Sequence, residues 1–173
     1  KEPAVIAGLE VFETVFAAHD PGVKVAWSVK EGRALKPGKL LARVRGRTRS
    51  ILTCERLALN LLQRMSGIAT QTRVFVAAFA TTETTILDTR KTLPGYRVLD
   101  KYAVRMGGGT NHRMSLFDMM MVKDNHVDGA GGVTPAVERA RAAYPDLPIE
   151  VEVRDFDELR EALAIDPPLD RIL

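Results

Sequence analysis

The chain has 173 residues, 46% hydrophobic and 27% charged, with a formal charge of +3 and a pI near 9.2. That is the ordinary composition of a water-soluble domain, or of parts of two; it is too weakly basic to argue for a nucleic-acid partner, and a single cysteine, Cys54, excludes an intramolecular disulfide and fits a reducing compartment, with cytoplasm the expected location. No apolar run approaches the roughly 20 residues of a membrane-spanning helix, so no membrane role is expected.

Taken in chain order, residues 4–18 read as a helix, and 23–29 and 40–45 as strands joined by the turn-rich segment 31–39. That segment has the look of half a β-hammerhead from a swinging-arm carrier, but no lysine stands at a hairpin tip, so its reading is structural. A long helix follows, with Thr53 as its expected N-cap, Glu55 in the first turn where the helix dipole favours negative charge, and Leu57, Leu61, Met65, Ile68, Thr72 and Phe75 as its apolar stripe. From Ile86 onward strands and helices alternate. Ile86 and Leu87 form a short apolar run ending in Asp88, residues 96–106 a helix stopped by Gly107, Gly108 and Gly109, and residues 119–122 a second buried strand ending in Lys123. Residues 133–144 then read as a helix, 149–153 as a strand, 156–165 as a helix, and 171–173 as the opening of another strand. This alternation predicts parallel βαβ units, and in a (β/α) barrel the C-terminal ends of the strands converge on one mouth. Arg90, Lys91, Lys123 and the strand bearing Glu150 and Glu152 would share that cavity.

Charge is concentrated where those strands end. Between residues 88 and 126 stand Arg90, Lys91, Arg97, Lys101, Arg105, Arg113 and Lys123, against Asp88, Asp100, Asp118 and Asp124. Such a cluster suits a small polyanion. A nucleic-acid module would spread its cations along a face interleaved with aromatics, and this chain holds only six Phe, three Tyr and one Trp. The triple glycine fits neither a dinucleotide fingerprint nor a phosphate-binding P-loop, and reads as a tight turn before His112.

Five segments in order, ERLALNLLQRMSGIAT at 55–70, TRKT at 89–92, GGGTNHR at 107–113, KDNH at 123–126 and IEVEV at 149–153, resemble the quinolinate phosphoribosyltransferase family, the decarboxylating enzymes of NAD biosynthesis. The resemblance spans essentially the whole chain. It implies an α/β protein: an N-terminal α/β sandwich-like domain with a long connecting helix over residues 1–82, followed over 83–173 by the first part of the parallel (β/α) barrel of type II phosphoribosyltransferases. Set against the family pattern, the chain reads as truncated at both ends.

The resemblance also implies site residues. Arg56, Thr89, Arg90, His112, Arg113 and Lys123 would bind quinolinate, with Arg56 contributed across a homodimer interface. Lys91 would act catalytically by neutralising phosphate charge on phosphoribosyl pyrophosphate. Glu152 would stabilise an oxocarbenium-like centre and meet Mg²⁺, directly or through water or substrate. The chemistry fits the residue types, since arginine forks pair bidentately with adjacent carboxylates. A paralogue of the same fold acting on another acid, such as the molybdenum-transport-associated relatives, is the alternative.

Several residues carry plainer readings. Arg97, Lys101 and Arg105, four apart on one helix, read as a solvated face, so Lys101→Ala is expected to leave turnover nearly unchanged. His126 reads as a loop or helix-capping histidine, Met119 to Met121 as core filler, and Cys54 as non-catalytic. Glu150 and Glu152 share one strand face, read as an exposed acidic edge, with Glu152 favoured for the site by the resemblance alone.

Overall fold

A computed structural model describes residues 2–173, which divide into two units, residues 2–112 and 113–173. The first holds β1 (Ala4–Val5), α1 (Leu9–His19), β2 (Lys24–Trp27), β3 (Ala34–Leu35), β4 (Ala42–Arg45), α2 (Thr48–Ala78) and α3 (Arg97–Gly107). The second holds β5 (Met120–Val122), α4 (Asp124–Ala130), α5 (Val133–Ala143), β6 (Ile149–Val151), α6 (Phe156–Leu163) and β7 (Arg171–Ile172).

The first unit is organised around α2. Its buried line runs through Ser50, Cys54, Ala58, Leu62, Met65, Ser66, Ala69 and Thr72; it keeps Met65 and Thr72 of the expected stripe but takes Ala58, Leu62 and Ala69 in place of the neighbouring Leu57, Leu61 and Ile68. Leu57 and Phe75 are 54% and 51% exposed. Small residues at the contact allow α1, β1 and α3 to approach the helix axis closely, so the small face goes inward. The helix also begins earlier than expected: Thr53 lies inside it and its hydroxyl donates back to the Arg49 carbonyl (2.8 Å), a bond available only to a residue already in the helix.

The segment expected as one helix at 4–18 is a strand followed by a helix. β1 pairs antiparallel with β3, which lies within the turn-rich segment, while β2 pairs antiparallel with β4. β1 is also bound to α2 by side chains. The Val5 N–H donates to Thr70 Oγ1 (2.8 Å) and the Ala7 N–H to Ser66 Oγ (3.1 Å). Gly8 separates strand from helix at φ 98°, and a Cβ there would lie 2.7 Å from Met65 Sδ. With no side chain at its N-cap, α1 is capped from a distance: Glu31 Oε1 accepts from the N–H groups of Gly8 (2.9 Å) and Leu9 (2.6 Å). Phe12 packs against Phe16 and Trp27 with ring centroids 5.2 Å apart in both pairs.

Asp20 joins the turn after α1 to the first turn of α2. Its carboxylate accepts from the Ser50 hydroxyl (2.7 Å) and the Gly22 N–H (2.9 Å), and these bonds, Ser50 first, hold it below the usual 3.8. A depressed carboxyl contributes stability that is present above its unfolded pKa and lost as pH falls through the lower folded value. Asp20→Asn is therefore expected to lose less stability than the parent between about pH 7 and pH 3, measured by urea unfolding at each pH.

α3 begins after Tyr96 and ends at Gly108, which takes φ 95°. It is fixed to α2 by a two-point pair: Arg64 Nε to Asp100 Oδ1 (2.9 Å) and Nη2 to Oδ2 (2.8 Å), with the guanidinium 5.2 Å over the Tyr96 ring. The triple glycine does more than turn the chain. A Cβ on Gly107 would lie 2.5 Å from the Ala69 carbonyl oxygen, and one on Gly109 would lie 2.8 Å from Val104 Cγ1.

In the second unit β5, β6 and β7 form a parallel sheet in that order, with Val122 opposite Val151 and Val151 opposite Ile172. Val122, Ile149 and Val151 join Val127, Val133, Val137 and Ala140 in its core. α4, which the sequence reading passed over, fills the connection from β5 to α5. Its neighbour α5 starts at a glycine and is capped remotely, like α1: Glu161 Oε1 of α6 accepts from the Thr134 N–H (2.6 Å), which lowers the Glu161 carboxyl.

Candidate active site

Alternation along the strands gives the parallel sheet one apolar and one polar face. On the polar face Met121, Glu150 and Arg171 stand in one register row, and the next row is begun by Lys123 and Glu152, each the first residue beyond its strand. Lys123 Nζ pairs with Glu152 Oε2 at 2.5 Å, with both side chains near half exposure (45% and 43%). Glu150 is 3% exposed and lies 3.9 Å from Arg171 Nη1. The expected exposed acidic edge is therefore absent: β6 is the middle strand, and its two glutamates differ sharply in access to solvent. Glu152 can reach a ligand; Glu150 lies in the interior of the row.

Arg113 belongs to the same face. Its Nη1 donates to the Met119 carbonyl (2.9 Å) and its Nη2 lies 3.5 Å from Met121 Sδ, so the β5 segment fixes the guanidinium plane. Met119 is buried and Met120 packs on the core, as filler, while Met121 serves as a contact for Arg113. His126 is a cap: its Nδ1 accepts from the Lys123 N–H (2.9 Å) at the start of α4.

In the first unit the other cluster forms where Ile86 to Asp88 runs beside Thr110 to His112. The expected strand at Ile86 and Leu87 is reduced to an isolated parallel bridge between Leu87 and Thr110, with Leu87 39% exposed. Thr110 N–H donates to Ile86 O (2.8 Å) and Asp88 N–H to Thr110 O (3.2 Å). Asp88 lies at the centre: its Oδ1 accepts from the His112 N–H (2.8 Å) and from Lys101 Nζ, and its Oδ2 accepts from the Asn111 amide (2.9 Å) in the orientation that satisfies both ends of that amide. Lys101 Nζ donates also to the His112 carbonyl (3.1 Å). This corrects the reading of Lys101 as part of a solvated face. It is 1% exposed, whereas Arg105 is exposed and Arg97 reaches Thr92 Oγ1 (3.2 Å) and the Arg90 carbonyl (3.3 Å). Periodicity alone hid Lys101, which flanks the buried positions Asp100, Ala103 and Gly107.

The threonine-arginine-lysine run follows Asp88 directly. The Thr89 hydroxyl accepts from the Lys91 N–H (3.0 Å), and Lys91 is exposed. Arg90 Nε is buried with no hydrogen-bond partner among the described residues, a state that an incoming carboxylate or phosphate oxygen would relieve. Arg56 stands on the exposed side of α2, off its buried line. Among the described residues no three His, Cys, Asp or Glu side chains gather as a metal cage.

Two family models cover nearly all of the sequence: the N-terminal domain of quinolinate phosphoribosyl transferase matches residues 1–66 and the C-terminal domain matches 68–172. The chain belongs to the quinolinate phosphoribosyltransferase family. A nicotinate-nucleotide pyrophosphorylase [carboxylating] of Mycobacterium leprae is 47% identical over 173 residues, taking in 98% of this chain and 60% of the relative. A quinolinate phosphoribosyltransferase [decarboxylating] 1b of Nicotiana tabacum is 45% identical over 167 residues, taking in 94% of this chain and 47% of its own length. The crystal structure of NadC from Streptococcus pyogenes superposes with a TM-score of 0.94 at 44% identity, over 99% of this chain and 61% of that one. This member of the quinolinate phosphoribosyltransferase family thus spans between 47% and 61% of the length of these relatives. In family terms β5, β6 and β7 are parallel strands of the C-terminal domain, and no helix among the described residues is long and apolar enough to cross a membrane.

Proposed function

We propose that this protein transfers a phosphoribosyl group from phosphoribosyl pyrophosphate to quinolinate and releases pyrophosphate, CO₂ and nicotinate mononucleotide, within NAD biosynthesis in the cytoplasm. The observation that carries the proposal is the half-exposed Lys123–Glu152 pair just beyond the C-terminal ends of neighbouring parallel strands, where α/β proteins bind ligands. Family membership names the acid.

In this reading Arg90, Arg113 and Arg56, with Thr89, His112 and Lys123, receive the two adjacent carboxylates of the pyridine ring, and Lys91 meets the phosphates. The ring nitrogen attacks the anomeric carbon as the bond to pyrophosphate breaks, and the electron pair leaves with pyrophosphate. The Glu152 carboxylate stabilises the positive charge that develops on the sugar. Loss of CO₂ then leaves an electron pair on the ring carbon beside the cationic nitrogen, and that carbon takes up a proton. Binding and orientation supply this chemistry, without a covalent nucleophile. Mg²⁺ fits as a companion of the polyphosphate, since it is commonly held by one or two carboxylates plus substrate oxygens; Glu152 is the carboxylate offered, and the ion would neutralise phosphate charge. Exposed Leu52 and Leu57, on the helix that bears Arg56, favour a second copy of the chain on that surface, with Arg56 reaching the partner's site.

The test is product formation by the purified protein with Mg²⁺, phosphoribosyl pyrophosphate and either quinolinate or nicotinate, with nicotinate mononucleotide detected by mass spectrometry. Product from quinolinate alone is expected. Product from neither acid, in protein of verified intact mass, would overturn the assignment in favour of a paralogue acting on another acid. Arg113→Ala should weaken quinolinate binding by at least about tenfold, as loss of a charge-assisted hydrogen bond implies; an unchanged affinity by calorimetry would remove Arg113 from the site.

A further inference from the structure

We infer that the buried Lys101–Asp88 ion pair is a positioning device that orients the anion-binding residues on the two segments it joins. The inference rests on the function proposed above and extends it to two residues that sequence motifs leave unassigned. Lys101 is 1% exposed and its partner's carboxylate 8%, so neither is placed to meet a ligand from solvent. Their contacts are instead directed at the backbone of the site. Asp88 accepts the His112 N–H, Lys101 donates to the His112 carbonyl, and the two thereby grip both peptide planes of His112. Asp88 is also the residue immediately before Thr89, Arg90 and Lys91, so the carboxylate that holds His112 sets the starting point of that run. Asn111 supplies a further donor to the same carboxylate.

A pair serving stability alone would need no charge. Replacing a buried ion pair with neutral groups of similar shape is often neutral for stability, whereas removing one partner is costly. The pair instead fixes the spacing between His112 and the Thr89 to Lys91 run, and misplacement of binding groups by about 1 Å can cost on the order of a hundredfold in rate. Lys101 and Asp88 are thus positioning residues that act through His112 and the Thr89 to Lys91 run.

The deciding experiment compares wild type, Lys101→Met and the double variant Lys101→Met with Asp88→Asn, each checked for folding by near-ultraviolet circular dichroism, in thermal unfolding and in calorimetric titration with quinolinate. The double variant should recover most of the melting temperature lost by Lys101→Met while its dissociation constant stays at least tenfold above wild type. If it regains both melting temperature and wild-type affinity, or if folded Lys101→Met binds as wild type does, the pair is structural only and the inference fails. If wild type itself does not bind quinolinate, the functional proposal fails and this inference fails with it.

Discussion

Lys101→Ala should lower the stability of the first unit by about 3–5 kcal/mol, the usual cost of deleting one partner of a buried ion pair. The residue is 1% exposed and the Asp88 carboxylate 8%, so water cannot readily take the place of the ammonium group. The His112 N–H and the Asn111 amide remain, but both are neutral donors to a full negative charge, and the His112 carbonyl loses its Lys101 donor. Truncation also empties the space of a side chain that is among the largest fully buried ones in the chain. In a thermal melt followed by circular dichroism the midpoint should fall by on the order of 10 °C. A change within about 2 °C would mean that the pair contributes little.

Gly107→Ala tests the contact between α2 and α3. Helix propensity alone predicts a gain of about 0.5–1 kcal/mol, because alanine is the better helix former. Sterics oppose it: the new Cβ would lie 2.5 Å from the Ala69 carbonyl oxygen and 2.6 Å from Thr72 Cβ. The oxygen is backbone inside a long helix and cannot swing aside, so the helices must separate, at a cost of about 1–3 kcal/mol or more. A net loss is expected. Gly67, inside α2 with open space where its Cβ would go, supplies the control: Gly67→Ala should gain about 0.5–1 kcal/mol in urea unfolding. Equal effects at the two glycines would remove the close-approach argument.

Much of the fold was legible in the sequence because local signals and tertiary structure agree there. The α3 boundaries follow from its apolar spacing and its glycine stop, and β5, β6 and β7 from short apolar runs between helical patterns. In the candidate site, the capping role of His126 is readable in the same way. Other features were set by partners distant in sequence. On α2 the expected stripe holds at Met65 and Thr72, but close packing selects Ala58, Ser66 and Ala69 over Leu57 and Phe75. Lys101 was misread because charge at helical spacing resembles a solvated face, and only the arrival of Asp88 makes its burial tolerable. Ile86 and Leu87 have the composition of a buried strand but pair only through the bridge from Leu87 to Thr110. The contrast between Glu150 and Glu152 depends on the position of β6 within the sheet, which alternation along one strand does not reveal.

The binding of β1 to α2 bears on the order in which the first unit assembles. The amide protons of Val5 and Ala7 rest on hydroxyls 65 and 59 residues further along the chain. β1 can pair with β3 once residues 34–35 are present, but it cannot reach its final hydrogen bonding before Ser66 and Thr70 stand in α2. Contacts of such long sequence separation slow folding, and exchange protection at these two amides would act as a clock for the docking of the N-terminal strand.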